Sequence, residues 1–150
     1  MFYYPTYKAI KDRLKTIAPV FYYIGQYQKG KDNTSYVVPA IYIEMPKSND
    51  IQFLRRRALA KGVQIKIHYI NYAPFKNQDT AAQDAALQAH ETKLKEIDLL
   101  MNGWAVLDGN GRVLTEQLVP VTGNMLNFMP QSVVSVIGYK TDVYSYHLIS

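Results

Sequence analysis

Three groups of residues have types and spacings that could carry chemistry. Glu44, Asp50, Gln64 and Lys66 combine two carboxylates with an amide-spacer-lysine element, Gln64-Ile65-Lys66. Such a set can fix a divalent cation and position water for phosphodiester cleavage. The same Gln64 and Lys66, with His68, equally fit the solvated face of an alternating strand, an arrangement that arises readily by chance. Arg55, Arg56 and Arg57, with Lys61, form the densest cationic cluster. It suits phosphate contacts, each releasing a counterion, or a basic loop facing water or an acidic neighbouring subunit. No aromatic-glycine consensus or helix-turn-helix spacing accompanies it, which favours the loop reading. The histidines, His68, His90 and His147, are far apart and none sits in a metal-binding pair. His90 falls in the apolar row of a helix, where a hydrogen-bonded structural role is expected. No catalytic residue, metal ligand or cofactor is assigned.

Length and composition narrow the classes further. At 150 residues and 17.2 kDa the chain is read as one domain, 1–150. Its 48% hydrophobic and 19% charged content excludes a disordered, collagen-like or coiled-coil chain. The absence of cysteine removes disulfides, thiolate metal sites and cysteine nucleophiles. No Gly-x-Ser-x-Gly elbow, phosphate-binding loop or dinucleotide fingerprint is present, so acyl transfer, nucleotide hydrolysis and hydride transfer lack support. No apolar run spans a bilayer and Met1–Pro5 does not begin a signal peptide, so a soluble protein made inside the cell is expected. The net charge of +5 is uneven: Lys and Arg outnumber Asp and Glu 12 to 4 over residues 1–75 and trail them 5 to 8 over 76–150. That polarity can steer the chain to an anionic partner, or bring the basic side of one copy to the acidic side of the next. Thirteen tyrosines against one tryptophan follow from strand propensity or mark a binding surface.

The elements that would position these groups follow from periodicity. Tyr3, Tyr7, Ile10, Leu14 and Ile17 predict a first amphipathic helix with a basic outer face, ended by Pro19. Val20–Ile24 predicts a strand. After the turn-rich tract 29–35, Tyr36–Met45 predicts a second, in which Pro39 demands an edge, a bulge or one-sided pairing. Pro46–Asp50 breaks it, and residues 51–62 are assigned to no element. Val63–Tyr72 alternates, with Val63, Ile65, Ile67 and Tyr69 on a buried face and Gln64, Lys66 and His68 on a wet one. Thr80 with Gln83 resembles a capping box, opening a helix to Met101 whose row is Leu87, His90, Leu94, Ile97, Met101 and Trp104; Asn102-Gly103 stops it. Ala105–Leu107 and Arg112–Leu114 flank the turn Asp108–Gly111, and Val133–Tyr146 predicts a final long strand. The fold class is α+β: a mainly antiparallel sheet covered on one face by two principal helices, in the order αβββα followed by further strands.

Two family resemblances attach to this order. The Glu44, Asp50, Gln64-Ile65-Lys66 set resembles the metal site of PD-(D/E)xK nucleases, whose αβββαβ core is comparable, although the Pro-Asp dipeptide is missing. The basic helix ending in Ala18-Pro19, the strand Val20–Ile24, the proline-containing strand Val37–Glu44 and the strand Val63–Tyr72 leading to a long helix resemble the tail-terminator proteins of tailed bacteriophages and related contractile particles. That second resemblance implies a non-enzymatic virion protein, assembled in the bacterial cytoplasm. It implies a hexameric ring that caps the tail tube and joins it to the neck, with the tube protein, a neck connector and the sheath as partners. DNA would pass through the lumen without sequence-specific binding, and no membrane is involved. Subunit or partner contacts are expected at Arg55, Arg56, Arg57, Lys61, Tyr36 and Tyr42. A head-completion or connector role is the near alternative, and a Mg²⁺-dependent nuclease the alternative of a different class.

Overall fold

The structure, a computed structural model, describes residues 3–27, 36–46, 51–73, 79–129 and 132–146, with backbone alone for 122–129. Helix α1 spans Tyr4–Leu14 and helix α2 spans Thr80–Met101. The strands are β1 (Val20–Tyr22), β2 (Ala40–Glu44), β3 (Ile51–Phe53), β4 (Ala58–Tyr72), β5 (Ala105–Leu107), β6 (Val113–Gln117), β7 (Val119–Met129) and β8 (Ser132–Ser145). They form one sheet in the order β1-β2-β4-β8-β6-β5, with β3 added beside β4 and β7 beside β8. Among the described residues only β1 and β2 run parallel. The fold is therefore α+β with a mainly antiparallel sheet.

Strand β4 is central. It pairs β8 along its whole length and pairs β2 and β3 in succession on its other side. Its even alternation is interrupted between Ala60 and Val63, where Lys61 and Gly62 face the single Asp142 of β8. Gly62 adopts φ +64°, a conformation glycine takes without penalty, and its N–H is held by Asp142 Oδ1 at 2.9 Å. The bulge rephases the strand, so that Ala60 and Val63, three positions apart, both enter the core below the helices.

That core joins Ile10 and Leu14 of α1 and Ile97 and Met101 of α2 to Ile41, Ile43, Val63, Ile65, Ile67, Tyr139 and Val143 of the sheet. Pro5 sits in the first turn of α1, where its missing N–H leaves nothing unsatisfied. The last turn of α2 contains no basic residue of its own. Instead Arg13 of α1 donates from Nε to the Leu100 carbonyl at 2.7 Å and lies 4.2 Å above the Trp104 ring. A cation from one helix thereby satisfies the carbonyl end of the other. Tyr139 reaches up from β8 to donate to Asp98 Oδ1 at 2.7 Å. Burial, and then that hydrogen bond, push its phenol pKa up.

Several boundaries differ from the sequence reading for local reasons. The second strand begins at Ala40, since Pro39 has no N–H for the ladder, and the strand that follows is paired on both sides rather than lying at an edge. The cap of α2 is Asp79, whose carboxylate accepts from Ala82 N at 3.1 Å, one position before the expected Thr80. Residues 51–62 form the β3–β4 hairpin and the bulge. Asp108 folds the β5–β6 turn by accepting from the backbone of Asn110 and Arg112 and from Arg112 Nε. The expected turn 29–35, the break at Lys47–Asp50 and His147 lie outside the described residues.

Where β7 crosses β8, a Cβ placed on Gly138 would stand 2.7 Å from Val121 Cγ2. Gly138→Ala is expected to lower unfolding free energy by about 1–3 kcal/mol in urea titrations, and Val121→Ala in the same chain to restore part of it. A neutral Gly138→Ala would mean that β7 does not approach β8 this closely.

Candidate functional site

Two places on the molecule gather polar groups in a defined geometry. The first lies on the sheet face away from the helices. In the β2–β4 register Tyr42 stands opposite His68 and Glu44 opposite Lys66, so Glu44, Gln64, Lys66 and His68 share this face. His68 is only 4% exposed, because Tyr23 stacks on it with centroids 4.0 Å apart and Tyr27 closes over it from the loop after β1. The predicted wet face is thus dry at His68 and Ile70 and wet at Gln64 and Tyr72.

His68 is hydrogen-bonded on both nitrogens. Its Nε2–H donates to Glu44 Oε1 at 2.7 Å, and its Nδ1 accepts from the Tyr27 hydroxyl. A carboxylate only accepts, so this tautomer is the one that satisfies all three groups. Burial lowers the His68 pKa, opposed by the bond to Glu44. Burial raises that of Tyr27, with the nearby Tyr23 adding to it. The far side of Glu44 opens into a cleft of about 620 Å³ between the ends of β1 and β2, lined by Tyr22, Tyr23, Ile24, Met45 and Pro46. The chain therefore orders a carboxylate at the mouth of an aromatic-walled cleft, with a neutral imidazole behind it.

The second cluster lies under α2. His90 Nδ1 is bonded to Asn71 Oδ1, and its Nε2 accepts from Ser135 Oγ at 2.8 Å. Serine, imidazole and amide in that order are the parts of a general-base-activated nucleophile. Ser135, however, is 3% exposed between helix and sheet, so no substrate carbonyl can reach it, and the cluster is structural. Burial depresses the His90 pKa to about 4. The expectation of a buried, hydrogen-bonded His90 is met.

The cationic cluster occupies a different part of the molecule. Strands β3 and β4 form a hairpin that reverses over Arg55 and Arg56, closed by Leu54 N–H to the Arg57 carbonyl at 2.8 Å. All three arginines are exposed, and Phe53 beside them is 73% exposed, with Ile51 and Leu54 also open to solvent. Arg57 stacks 4.3 Å over the Tyr144 ring, whose hydroxyl donates to Glu116 Oε1 at 2.8 Å, so the base of the hairpin is tied to β8 and β6. Lys61 sits at the bulge.

The expected contact set is therefore only partly assembled. Arg55, Arg56 and Arg57 share the hairpin, Lys61 lies further along β4 at the bulge, and Tyr36 and Tyr42 do not join them. Tyr42 is 2% exposed, donating to the Val37 carbonyl at 2.9 Å beside half-buried Tyr36, so its assignment to an interface is corrected. It packs inward because the loop carrying Tyr23 and Tyr27 covers its face of β2. Of the nuclease set, Glu44, Gln64 and Lys66 share a face, and Asp50 lies outside the described residues. Among the described residues no group of three His, Asp or Glu side chains is placed to hold a metal ion, and no helix is long and apolar enough to cross a membrane. The cleft was missed from sequence, because it depends on the parallel pairing of β1 with β2, which sets Tyr22, Tyr23 and Ile24 beside Glu44, Met45 and Pro46. No family model matches the chain, and no curated protein matches it.

Two outcomes are expected from the histidine clusters. His90 is neutral in the fold and takes up a proton near pH 6.5 once unfolded, so stability is complete above about pH 6.5. It should fall by up to about 3 kcal/mol as the pH drops to about 4, and His90→Gln should flatten that slope in denaturation series run from pH 7.5 to 4. Tyr27→Phe leaves His68 Nδ1 buried without a donor and should lower stability by about 1–3 kcal/mol, read as a shift of the urea midpoint.

Proposed function

We propose that the chain is a structural subunit of a bacteriophage tail, a tail terminator that assembles with itself into a ring, caps the tail tube and presents the docking face for the neck. The observation that carries this reading is the β3–β4 hairpin. A short strand bearing exposed Phe53 and Ile51, tipped by three arginines and with no strand on its outer edge among the described residues, is a liability in a solitary protein. It is an asset in a subunit that meets copies of itself. The exposed arginine tip of the hairpin supplies one of the unlike patches that head-to-tail association requires. The α+β fold, with a basic first helix and a long second helix on one sheet face, is compatible with the resemblance described above. The role is non-enzymatic, its place is the virion after assembly in the host cytoplasm, and its partners are the tube, neck and sheath proteins.

Sedimentation over a concentration series, with negative-stain images of the large species, tests the proposal. A closed ring of about six copies around a central hole is expected. Arg55→Glu/Arg56→Glu/Arg57→Glu should abolish the ring or its capture of purified tail tubes while circular dichroism stays unchanged. A wild-type protein that neither forms rings nor binds tube ends would refute the assignment. Metal-dependent DNA cleavage lost in Glu44→Ala and Lys66→Ala would replace it with the nuclease reading.

A further inference from the structure

We propose that the cleft at Glu44 is the receptor for the arginine-tipped β3–β4 hairpin of a second copy of this chain; the proposal rests on the self-assembling reading and names its contact. The two surfaces are chemically complementary. On the hairpin, Arg55 and Arg56 are exposed and make no ion pair among the described residues, while Arg57 is engaged by Tyr144 in its own chain. Two guanidinium groups therefore project with apolar Leu54 and Phe53 beside them.

In the cleft, Glu44 is held by His68 through one oxygen and is about one third exposed, leaving the other oxygen for a donor from outside. Lys66, its cross-strand neighbour, forms no ion pair with it. The walls are the rings of Tyr22 and Tyr23 and the apolar Ile24, Met45 and Pro46. A planar guanidinium satisfies such a site on every side: its N–H fork meets the carboxylate, its flat faces lie on aromatic rings, and its methylene stem covers apolar wall. At about 620 Å³ the cleft falls within the ~300–1,000 Å³ range of sites that bury a small ligand, and so admits the tip side chains.

The hairpin cannot fill the cleft of its own chain. Glu44 is registered with Lys66 and Phe53 with Ala58 on the same side of β4, which separates the two sites by about 23 Å along the ladder at ~3.3 Å per step, the bulge residue not counting. The contact is therefore between copies, and because it joins unlike patches the pair retains one free hairpin on one copy and one free cleft on the other with which to continue.

Mixing variants tests this. Ile24 is 76% exposed at the rim, so Ile24→Arg should close the cleft by charge without disturbing the fold, and Arg55→Glu/Arg56→Glu should disable the hairpin. Each variant alone is expected to sediment as a monomer with an unchanged thermal melt. An equimolar mixture still contains one good hairpin and one good cleft, and should stop at a one-to-one dimer. Glu44→Gln should weaken wild-type self-association at least tenfold. Rings that form unaltered with Ile24→Arg would overturn the contact and leave the ring reading standing. A wild-type protein that is monomeric at every concentration yet caps tail tubes would also overturn the contact alone. Failure of the mixture to dimerise, with both variants folded, rejects the pairing of these two surfaces.

Discussion

The ladder between β4 and β8 is the constraint on which the rest of the molecule depends. Thirteen registered pairs from Ala58 to Tyr72 fix which side chains look toward the helices and which look away. A slip of one residue would carry Val63, Ile65, Ile67 and Tyr69 out of the core and bring Gln64 and Lys66 into it. The Gly62 bulge is the one change of phase the ladder accepts, and it is pinned by Asp142 from the partner strand. Everything that pairs with β4 on its other side, first β2 with Glu44 and then β3 with the hairpin, takes its position from that register.

The two faces of the sheet are closed by different means. The helix face is closed by area, with Ile10, Leu14, Ile97 and Met101 laid over aliphatic strand residues. The opposite face is closed by a few aromatic rings around His68, and only over part of its length. Each face also holds one buried histidine with both nitrogens bonded, His68 to Tyr27 and Glu44, and His90 to Asn71 and Ser135. Buried imidazoles satisfied in this way make the packing specific, because any shift of the covering loop or of α2 would leave a polar atom without a partner.

Legibility in the sequence followed the length of the periodic signal. Helix α2 and the Val63–Tyr72 part of β4 could be read directly, since ten or more residues repeated one period, and the long β8 from its β-branched and aromatic content. The β3–β4 hairpin could not, because Ile51-Gln52-Phe53 is too short to show alternation and its reversal over Arg55-Arg56 lacks the Asn, Asp or Gly that usually marks a tight turn. The arginine cluster was visible as composition, but its mounting on a braced hairpin was not. Burial of His68 and Tyr42 was illegible for another reason. The alternation of β4 shows which residues share a face, and only the fold of the Tyr23–Tyr27 loop decides whether that face meets water. The same holds for Arg13, which belongs by period to the outer side of α1 and is nonetheless fastened to the end of α2.

The order of synthesis gives the β4–β8 ladder a further meaning. Strand β4 leaves the ribosome long before its principal partner, and every residue from Ala73 to Gln131 must be made before Tyr72 can meet Ser132. During that interval one edge of the longest strand is without its mate, with only β2 and β3 to shelter the other. Local pieces, α2 and the β5–β6 turn, can form early, but the β4–β8 ladder requires closing a long loop. Contacts of such sequence separation place folding toward the slow, millisecond-to-second end of the range for domains of this size. A nascent chain of this kind gains from α2 forming promptly, since that helix shortens the loop to be closed and delivers His90 to the site where Ser135 will arrive.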